Sequence, residues 1–219
     1  MRLRWLNKEE AASAMLHKVV FLDRDGVINR DSPDYITNLQ EFEFLPGSLE
    51  ALRRLAEAGF TCIVVTNQTA PARGRMAPET LAEIHGEMAA AVAAAGGRIL
   101  DIFICPHLPE ESCSCRKPKP GMLLTAQKKH RIDFSSAVMI GDSVKDIECA
   151  HNAGVATTVL VQTGNGEKAV RELSALGIRP HHLALDLPAA VDWIVTPRRS
   201  EKEGPPGPAG PSGQPSSGK

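Results

Sequence analysis

Short apolar runs alternate with longer amphipathic stretches along most of this chain. The apolar runs predict strands over 19–22, 62–65, 99–104, 137–140 and 156–161, and the amphipathic stretches predict helices over 48–58, 78–95, 122–130, 144–152, 167–176 and 189–195. Strands that alternate with helices in this way favour a parallel sheet covered on both faces by right-handed crossovers. The sequence therefore predicts an α/β fold with a doubly wound, Rossmann-like parallel sheet.

Composition divides the 219 residues into one domain and two flanking segments. Residues 18–196 suffice for a single doubly wound core. Residues 1–17 form a charged, amphipathic N-terminal extension without a secretory apolar core. The part of this extension ahead of Met15 either results from an early start codon or forms a short helix packed on the domain. Residues 197–219 are rich in Gly, Pro and Ser, so we expect a disordered tail that cannot offset its ordering entropy.

The charge balance and the apolar pattern restrict the partners that the chain could have. Its formal net charge is −1 at pH 7, which gives no basic footprint for nucleic acid. Its apolar stretches fall well short of the roughly 20 residues that a membrane helix needs. We therefore expect a cytoplasmic protein that binds neither nucleic acid nor membrane.

Two carboxylates, Asp23 and Asp25, follow the first predicted strand with one residue between them. Open α/β sheets place their ligands at the carboxyl ends of the strands, and Gly26 allows a sharp turn at this point. One carboxylate could therefore attack a substrate while the other transfers a proton. An isolated Asp-x-Asp is more often a strand that ends in a solvated acidic turn.

Three further groups follow later strands or open helices. Thr66, Lys117 and Asp142 come in this order, and Asp146 follows Asp142 by four residues. Taken singly, they are more typical of a turn hydroxyl, a solvated surface charge and a helix N-cap. Their order after Asp-x-Asp, each at a strand end, resembles the four-part pattern of the haloacid dehalogenase superfamily over nearly the whole chain.

This resemblance implies a magnesium-dependent phosphatase that forms an aspartyl-phosphate. Asp23 would be the nucleophile, and Asp25 would protonate the leaving group and then activate water. Mg²⁺ would be bound by Asp23, the backbone carbonyl of Asp25 and Asp142. Thr66 and Lys117 would neutralise the phosphoryl oxygens, and Asp146 would orient Lys117 or a metal-bound water.

A cluster of cysteines and one histidine precedes Lys117. Three thiols and an imidazole complete a tetrahedral set for a structural zinc ion. These residues are Cys105, His107, Cys113 and Cys115. The competing interpretation is disulfide pairing, which is uncommon in the cytosol. The other two cysteines, Cys62 and Cys149, are predicted to be buried thiols. Zinc would order the loop that carries Arg116 and Lys117.

The spacing of the motifs leaves no room for a cap domain. About twenty residues separate Asp25 from the helix at Ser48, and one helix, one strand and the zinc loop fill the chain between Thr66 and Lys117. We therefore expect an open site, bordered by a flap over 29–44 and a loop over 68–75, and a protein that acts as a monomer.

A narrower family resemblance rests on longer motifs. The segments 21–29, 66–68 with 72–74, 105–107 and 113–124 resemble the D-glycero-D-manno-heptose 1,7-bisphosphate 7-phosphatase family. The resemblance implies a phosphatase that removes the 7-phosphate in making nucleotide-activated heptose. It also implies substrate contacts from Asp31, Ser32, Pro33, Asp34, Thr66, Asn67, Gln68, Thr69, Arg116 and Lys117.

Two alternatives stay open at this point. Histidinol-phosphate phosphatases share the zinc pattern, and the short spacing between His107 and Cys113 is at least as typical of them. Many heptose phosphatases also carry a longer zinc loop, and a lysine that contacts substrate in some of them falls here on Ser143. The second alternative is a zinc-stabilised binding module without catalysis, which the intact Asp23 and Asp25 argue against.

Overall fold

The computed structural model describes residues 15–196, whose core is a six-stranded sheet with all strands parallel. The strands lie in the order β3-β2-β1-β4-β5-β6. They are β1 (Val19–Leu22), β2 (Thr61–Asn67), β3 (Ile99–Cys105), β4 (Val138–Gly141), β5 (Thr157–Val161) and β6 (His182–Ala184). The chain order reverses at β1, so the carboxyl ends of β1 and β4 form the crevice where such sheets bind ligands.

Six α-helices connect or follow the strands within residues 15–196. They are α1 (Ser48–Glu57), α2 (Pro78–Ala94), α3 (Gly121–His130), α4 (Val144–Ala153), α5 (Gly166–Ala175) and α6 (Leu187–Val195), with 3-10 helices at Leu39–Glu41, Pro109–Glu111 and Phe134–Ser136. The predicted doubly wound α/β fold is confirmed, and the predicted helices agree with the observed ones to within two residues at each end.

The two faces of the sheet are covered by different helices. Side chains alternate along β1, so Val20 and Leu22 pack with α1 and α6 while Val19 and Phe21 pack with α3 and α4. All four side chains are fully buried. Burying a side chain of this size contributes on the order of 2 kcal/mol, so β1 anchors both layers.

The edge strand β6 is an element that the sequence pattern missed. It contains only three residues, and just Ala184 among them is buried. Such a strand carries no apolar run or alternation that would distinguish it from a loop. It pairs with β5 through Leu160 and Leu183 and extends the sheet by one strand.

The residues directly before residue 18, the predicted start of the domain, are hydrogen-bonded to the domain. Leu16 N donates to Arg131 O at 2.9 Å, and Asp133 N donates to Leu16 O at 3.0 Å. Residues 15–17, assigned from composition to the extension, are therefore tied to the loop after α3. The rest of the predicted extension, 1–14, and the predicted tail, 197–219, lie outside the described residues.

The segments that border the site are short. Residues 23–47, which include the flap over 29–44, connect β1 to α1, and residues 106–120 connect β3 to α3. As expected, neither segment contains a cap domain. Within 15–196, the helices are too short or too polar to cross a membrane.

Candidate active site

The predicted site residues converge on one open cavity of about 430 Å³ at the carboxyl edge of the sheet. Most of the residues expected from sequence line it, namely Asp23, Asp25, Asp31, Ser32, Thr66, Asn67, Gln68, Thr69, Arg116, Lys117 and Asp142. Pro33 and Asp34, also predicted to contact substrate, are exposed and are not among the lining residues. The flap instead presents Tyr35 and Ile36 to the cavity.

Lys117 lies at the bottom of the cavity between two carboxylates. Its Nζ is 2.9 Å from Asp23 Oδ1 and 2.5 Å from Asp146 Oδ1, and it also donates to Val65 O at 2.9 Å. The lysine is 3% exposed, so these three acceptors satisfy a buried ammonium group. Burial opposes its charge, but Asp146 and Asp23 outweigh that effect and raise the pKa of Lys117.

Asn67 connects the loop that carries Lys117 to the end of β2. Lys117 N donates to Asn67 Oδ1 at 3.1 Å, and Asn67 Nδ2 donates to Lys117 O at 3.3 Å. These two bonds fix the backbone of Lys117 relative to β2. Asn67 also lines the cavity, and the substrate contact expected of it stays a prediction.

Asp142 follows β4 and is held by the loop between β5 and α5. Asn165 donates to Asp142 Oδ2 through its backbone N at 2.8 Å and through Nδ2 at 3.2 Å. Gly26 and Gly164 border the same oxygen with positive φ, and a Cβ atom on either would lie about 2.2 to 2.3 Å from it. Only glycine leaves room for the carboxylate there.

Three carboxylates meet beside Lys117. Ligand atoms of Asp23, Asp142 and Asp146 all lie within 4.8 Å of one another. Burial raises the pKa of Asp23 well above its ordinary value, and the charges of Asp146 and Asp142 act in the same direction against Lys117. Burial, with Asp146, also raises the pKa of Asp142 to about 7, although Asn165 opposes the shift. The cluster thus has more negative charge than Lys117 can neutralise.

Both carboxylate oxygens of Asp146 are hydrogen-bonded within the protein. Its Oδ1 is bonded to Lys117, and its Oδ2 accepts from Ser143 N at 3.1 Å and from Ser143 Oγ at 2.6 Å. The carboxylate is completely buried and caps the N-terminus of α4. Of the two roles expected for Asp146, the structure therefore shows the one toward Lys117.

Asp25 lies in a different environment from Asp23. Its carboxylate accepts from Arg24 Nε and Nη2, from Asn29 Nδ2 at 2.9 Å and from Gln68 Nε2 at 2.6 Å. Gln68 Nε2 also donates to Thr66 Oγ1 at 2.9 Å, which leaves the Thr66 hydroxyl hydrogen available to another acceptor. Gln68, expected to contact substrate, connects Asp25 to Thr66.

The cysteine and histidine cluster forms as the spacing predicts. The three thiol sulfurs lie 3.3 to 3.6 Å apart, and His107 Nδ1 is 3.2 Å from Cys115 Sγ. Ligands at about 2.3 Å from a tetrahedral zinc ion would be roughly 3.7 Å apart, so the donors fit this metal. All five cysteines are free, which excludes the disulfide alternative in this structure, and Cys62 and Cys149 are buried as expected.

Arg116 links the cluster to the cavity. Its Nη1 donates to His107 O at 3.2 Å, and its side chain lines the cavity beside Lys117. The loop that holds the four donors therefore also places both basic residues.

Two residues that organise the site carried little signal in the sequence. His85 lies on α2 and contacts Arg24, and Asn165 precedes α5 and contacts Asp142. His85 lies within a predicted helix, Asn165 lies in the loop after the strand predicted over 156–161, and neither belongs to a recognisable motif. For His85, the available clue was Arg24, which lies between two aspartates. An arginine that is buried at such a position needs further hydrogen-bond acceptors.

Comparisons with known proteins agree with this geometry. A family model described as HAD-hydrolase-like matches residues 114–190. D-glycero-β-D-manno-heptose-1,7-bisphosphate 7-phosphatase of Bordetella bronchiseptica is 43% identical over 155 residues, which cover 71% of this chain and 86% of that protein. D-glycero-D-manno-heptose-1,7-bisphosphate 7-phosphatase of Thermosynechococcus vestitus is 38% identical over 193 residues, covering 83% and 97%.

A solved structure matches this chain over a similar share of its length. The crystal structure of D,D-heptose 1,7-bisphosphate phosphatase from B. bronchiseptica, complexed with magnesium and phosphate, aligns with a TM-score of 0.74 at 39% identity. The alignment covers 81% of this chain and 98% of that one. The similarity therefore concerns the whole domain and not one motif.

Proposed function

This chain belongs to the D-glycero-D-manno-heptose-1,7-bisphosphate 7-phosphatase family, and we propose that it hydrolyses the 7-phosphate ester of that bisphosphorylated heptose. The resemblance expected from the strand-end motifs is thereby confirmed. The observation that carries the proposal is the Asp23 carboxylate, ion-paired with buried Lys117 in a polar cavity, with Asp25 beside it.

In the first step, Asp23 attacks the phosphorus of the substrate. A bond forms between a carboxylate oxygen of Asp23 and phosphorus while the bond from phosphorus to the sugar oxygen breaks. The hydroxyl hydrogen of Thr66 is available to a phosphoryl oxygen, and the positive charge of Lys117, 2.9 Å from Asp23 Oδ1, neutralises the charge that develops on these oxygens. Fixed donors of this kind lower a transition-state free energy by about 3 kcal/mol each, because their dipoles are oriented in advance.

Asp25 moves the proton in both halves of the reaction. It gives a proton to the departing sugar oxygen and then takes one from the water that hydrolyses the aspartyl-phosphate. Its carboxylate is fixed by donors from Arg24, Asn29 and Gln68. Proton transfer by a positioned group contributes roughly 100- to 10,000-fold to the rate.

The donor atoms of the site fit two metal ions. Asp23, Asp142 and the backbone carbonyl of Asp25 would hold Mg²⁺, since hard oxygen donors with excess negative charge suit this ion. Bound there, it supplies Lewis-acid neutralisation of phosphoryl charge. Cys105, His107, Cys113 and Cys115 would hold zinc as a closed, structural site.

The open shape of the cavity suits a polar sugar bisphosphate. Arg116 would recognise the substrate, and the flap would border it through Asp31, Ser32 and Tyr35. Residues 18–196 would constitute the phosphatase domain, between the extension and the tail. The proposal includes a monomer that acts in the cytoplasm on a small phosphorylated molecule, without nucleic acid or membrane as a partner.

The experiment measures phosphate release by the full chain with Mg²⁺. Phosphate release from both anomers of heptose 1,7-bisphosphate is compared with release from histidinol phosphate. Asp23→Asn protein purified by the same procedure is the control. We expect kcat/KM at least about 100-fold higher for the heptose, a difference of about 2.7 kcal/mol in transition-state binding. Faster release from histidinol phosphate would assign the chain to the other substrate, and no release from either would refute the phosphatase proposal.

A further inference from the structure

Arg24 separates the two aspartates in sequence, and its guanidinium is directed to Asp25. The residue is 1% exposed. Its Nε donates to Asp25 Oδ1 at 3.0 Å, and its Nη2 donates to Oδ1 at 2.7 Å and to Oδ2 at 3.0 Å. A planar fork that engages both carboxylate oxygens fixes the plane of the carboxylate as well as its position.

His85 meets the other end of the same guanidinium. Its Nε2 lies 3.0 Å from Arg24 Nη1, and the ring is 5% exposed. Because arginine has only donors, His85 must accept this hydrogen bond through an unprotonated Nε2. Burial, together with the charge of Arg24, lowers the pKa of His85 to about 4 against the effect of Asp25, so the ring is neutral near pH 7.

We propose that His85 is a positioning residue that holds the Arg24 guanidinium in the plane that orients Asp25 for proton transfer to the leaving oxygen. The side chain of arginine has several rotatable bonds, and an acceptor at its far end restricts the plane that the fork can adopt. His85 comes from α2, on a different element from Arg24, so the contact ties the Asp25 side of the site to that helix. The inference rests on the proposed phosphatase function.

A leaving-group comparison tests this role in the full chain. An alkyl ester such as heptose 1,7-bisphosphate needs a proton on its leaving oxygen, whereas p-nitrophenyl phosphate releases a stable anion. His85→Leu should lower kcat/KM for the alkyl ester about tenfold and for p-nitrophenyl phosphate less than about threefold, since only the first requires Asp25 as an acid. KM for the alkyl ester should stay within about twofold, because the substrate does not contact His85.

Conservative variants separate positioning from a structural role. His85→Gln places an amide oxygen near the position of Nε2 and should recover most of the alkyl-ester activity, whereas the shorter His85→Asn should not. His130→Leu is the matched control, because His130 is a partly buried histidine bonded to Asp101, away from the cavity. It should leave both substrates unaffected.

Three results would overturn the inference. These are an equal loss of kcat/KM for both leaving groups, the absence of any loss, or a loss that His85→Gln does not recover. If wild-type protein hydrolyses histidinol phosphate but not the heptose ester, the heptose assignment fails and the same comparison is made with histidinol phosphate, also an alkyl ester. If wild-type protein hydrolyses none of these esters, the phosphatase proposal fails and this inference fails with it.

Discussion

The surroundings of Asp23 and of Asp25 differ sharply, although the two residues are separated by a single position. Asp23 faces Lys117 and lies within a cluster that includes Asp142 and Asp146. Asp25 instead accepts hydrogen bonds from Arg24 and from the side-chain amides of Asn29 and Gln68. One aspartate therefore lies among competing negative charges, while the other is enclosed by donors.

This difference supports separate proposed tasks for two chemically identical side chains. A carboxylate among excess negative charge favours a bound cation beside it, and that cation also attracts the phosphoryl oxygens of a substrate. A carboxylate enclosed by donors is held in a fixed plane, which suits transfer of a proton along a defined line. The environments of Asp23 and Asp25 therefore suit the nucleophile and the acid–base residue respectively, as the superfamily resemblance implied.

The largest expected effect comes from neutralising the nucleophile. Asp23→Asn should lower kcat at least about 10,000-fold for every phosphate ester, or roughly 5.5 kcal/mol, because no covalent intermediate can form. Phosphate release with alkyl and aryl esters measures this. Asp101→Asn is the control, since Asp101 pairs with Lys129 away from the cavity. Substantial activity in Asp23→Asn would revive the binding-module interpretation.

A smaller effect, which depends on the leaving group, is expected from neutralising Asp25. Asp25→Asn should reduce kcat/KM about 300-fold for an alkyl phosphate but about tenfold for p-nitrophenyl phosphate, because the nitrophenolate leaves without a proton. The ratio of the two losses is the measurement. Equal losses for both esters would mean that Asp25 is not the acid, and the division of tasks between the aspartates would fail.

Loss of zinc should affect the surroundings of Asp23, because the zinc-binding loop carries Lys117. Cys115→Ser should remove the bound zinc and lower kcat/KM about 30-fold, roughly 2 kcal/mol, because the loop no longer fixes Lys117 and Arg116. Metal analysis of the purified protein and phosphate release are both measured. Cys62→Ala, which removes a buried thiol outside the cluster, should keep one zinc per chain. Full activity without zinc would separate the cluster from the site.

The smallest effect concerns His85 and acid stability. Its folded pKa of about 4 is below the ordinary value of 6.5, so on acidification the unfolded chain takes up a proton before the folded one does. Between pH 7.5 and pH 5.5 this should cost the folded state roughly 1.3 kcal/mol. Urea unfolding at both pH values should show wild type losing more stability than His85→Gln by that amount. Parallel losses would mean that folding does not lower the pKa of His85.

Much of the site was predictable because strand ends in a parallel sheet share one edge. Asp23, Thr66 and Asp142 lie at the carboxyl ends of adjacent strands, and the sheet brings them together without further information. The four metal-ligand candidates lie within eleven residues of chain, so spacing alone brought them close. The edge strand β6 was missed because its three residues have no apolar pattern, and pairing with β5 alone defines it.

The direction of polar side chains in the site was less predictable. Pro33 and Asp34 were expected at the substrate but lie outside the cavity lining, where Tyr35 and Ile36 stand instead. Asn67 and Gln68 line the cavity but bond to Lys117 and Asp25. Motif spacing identifies which loop borders a site, but the path of the loop decides which side chain points inward.

By itself, the sequence determined the parallel α/β sheet, the edge where chemistry occurs and the residue types available there. Hydrophobic periodicity and the order of motifs can be read directly from the linear sequence. Only the tertiary structure decided which carboxylate meets Lys117 and which meets Arg24 and His85. Lys117 and His85 lie tens of residues from the two aspartates along the chain, and their contacts depend on burial and side-chain direction across several elements, which no spacing rule specifies.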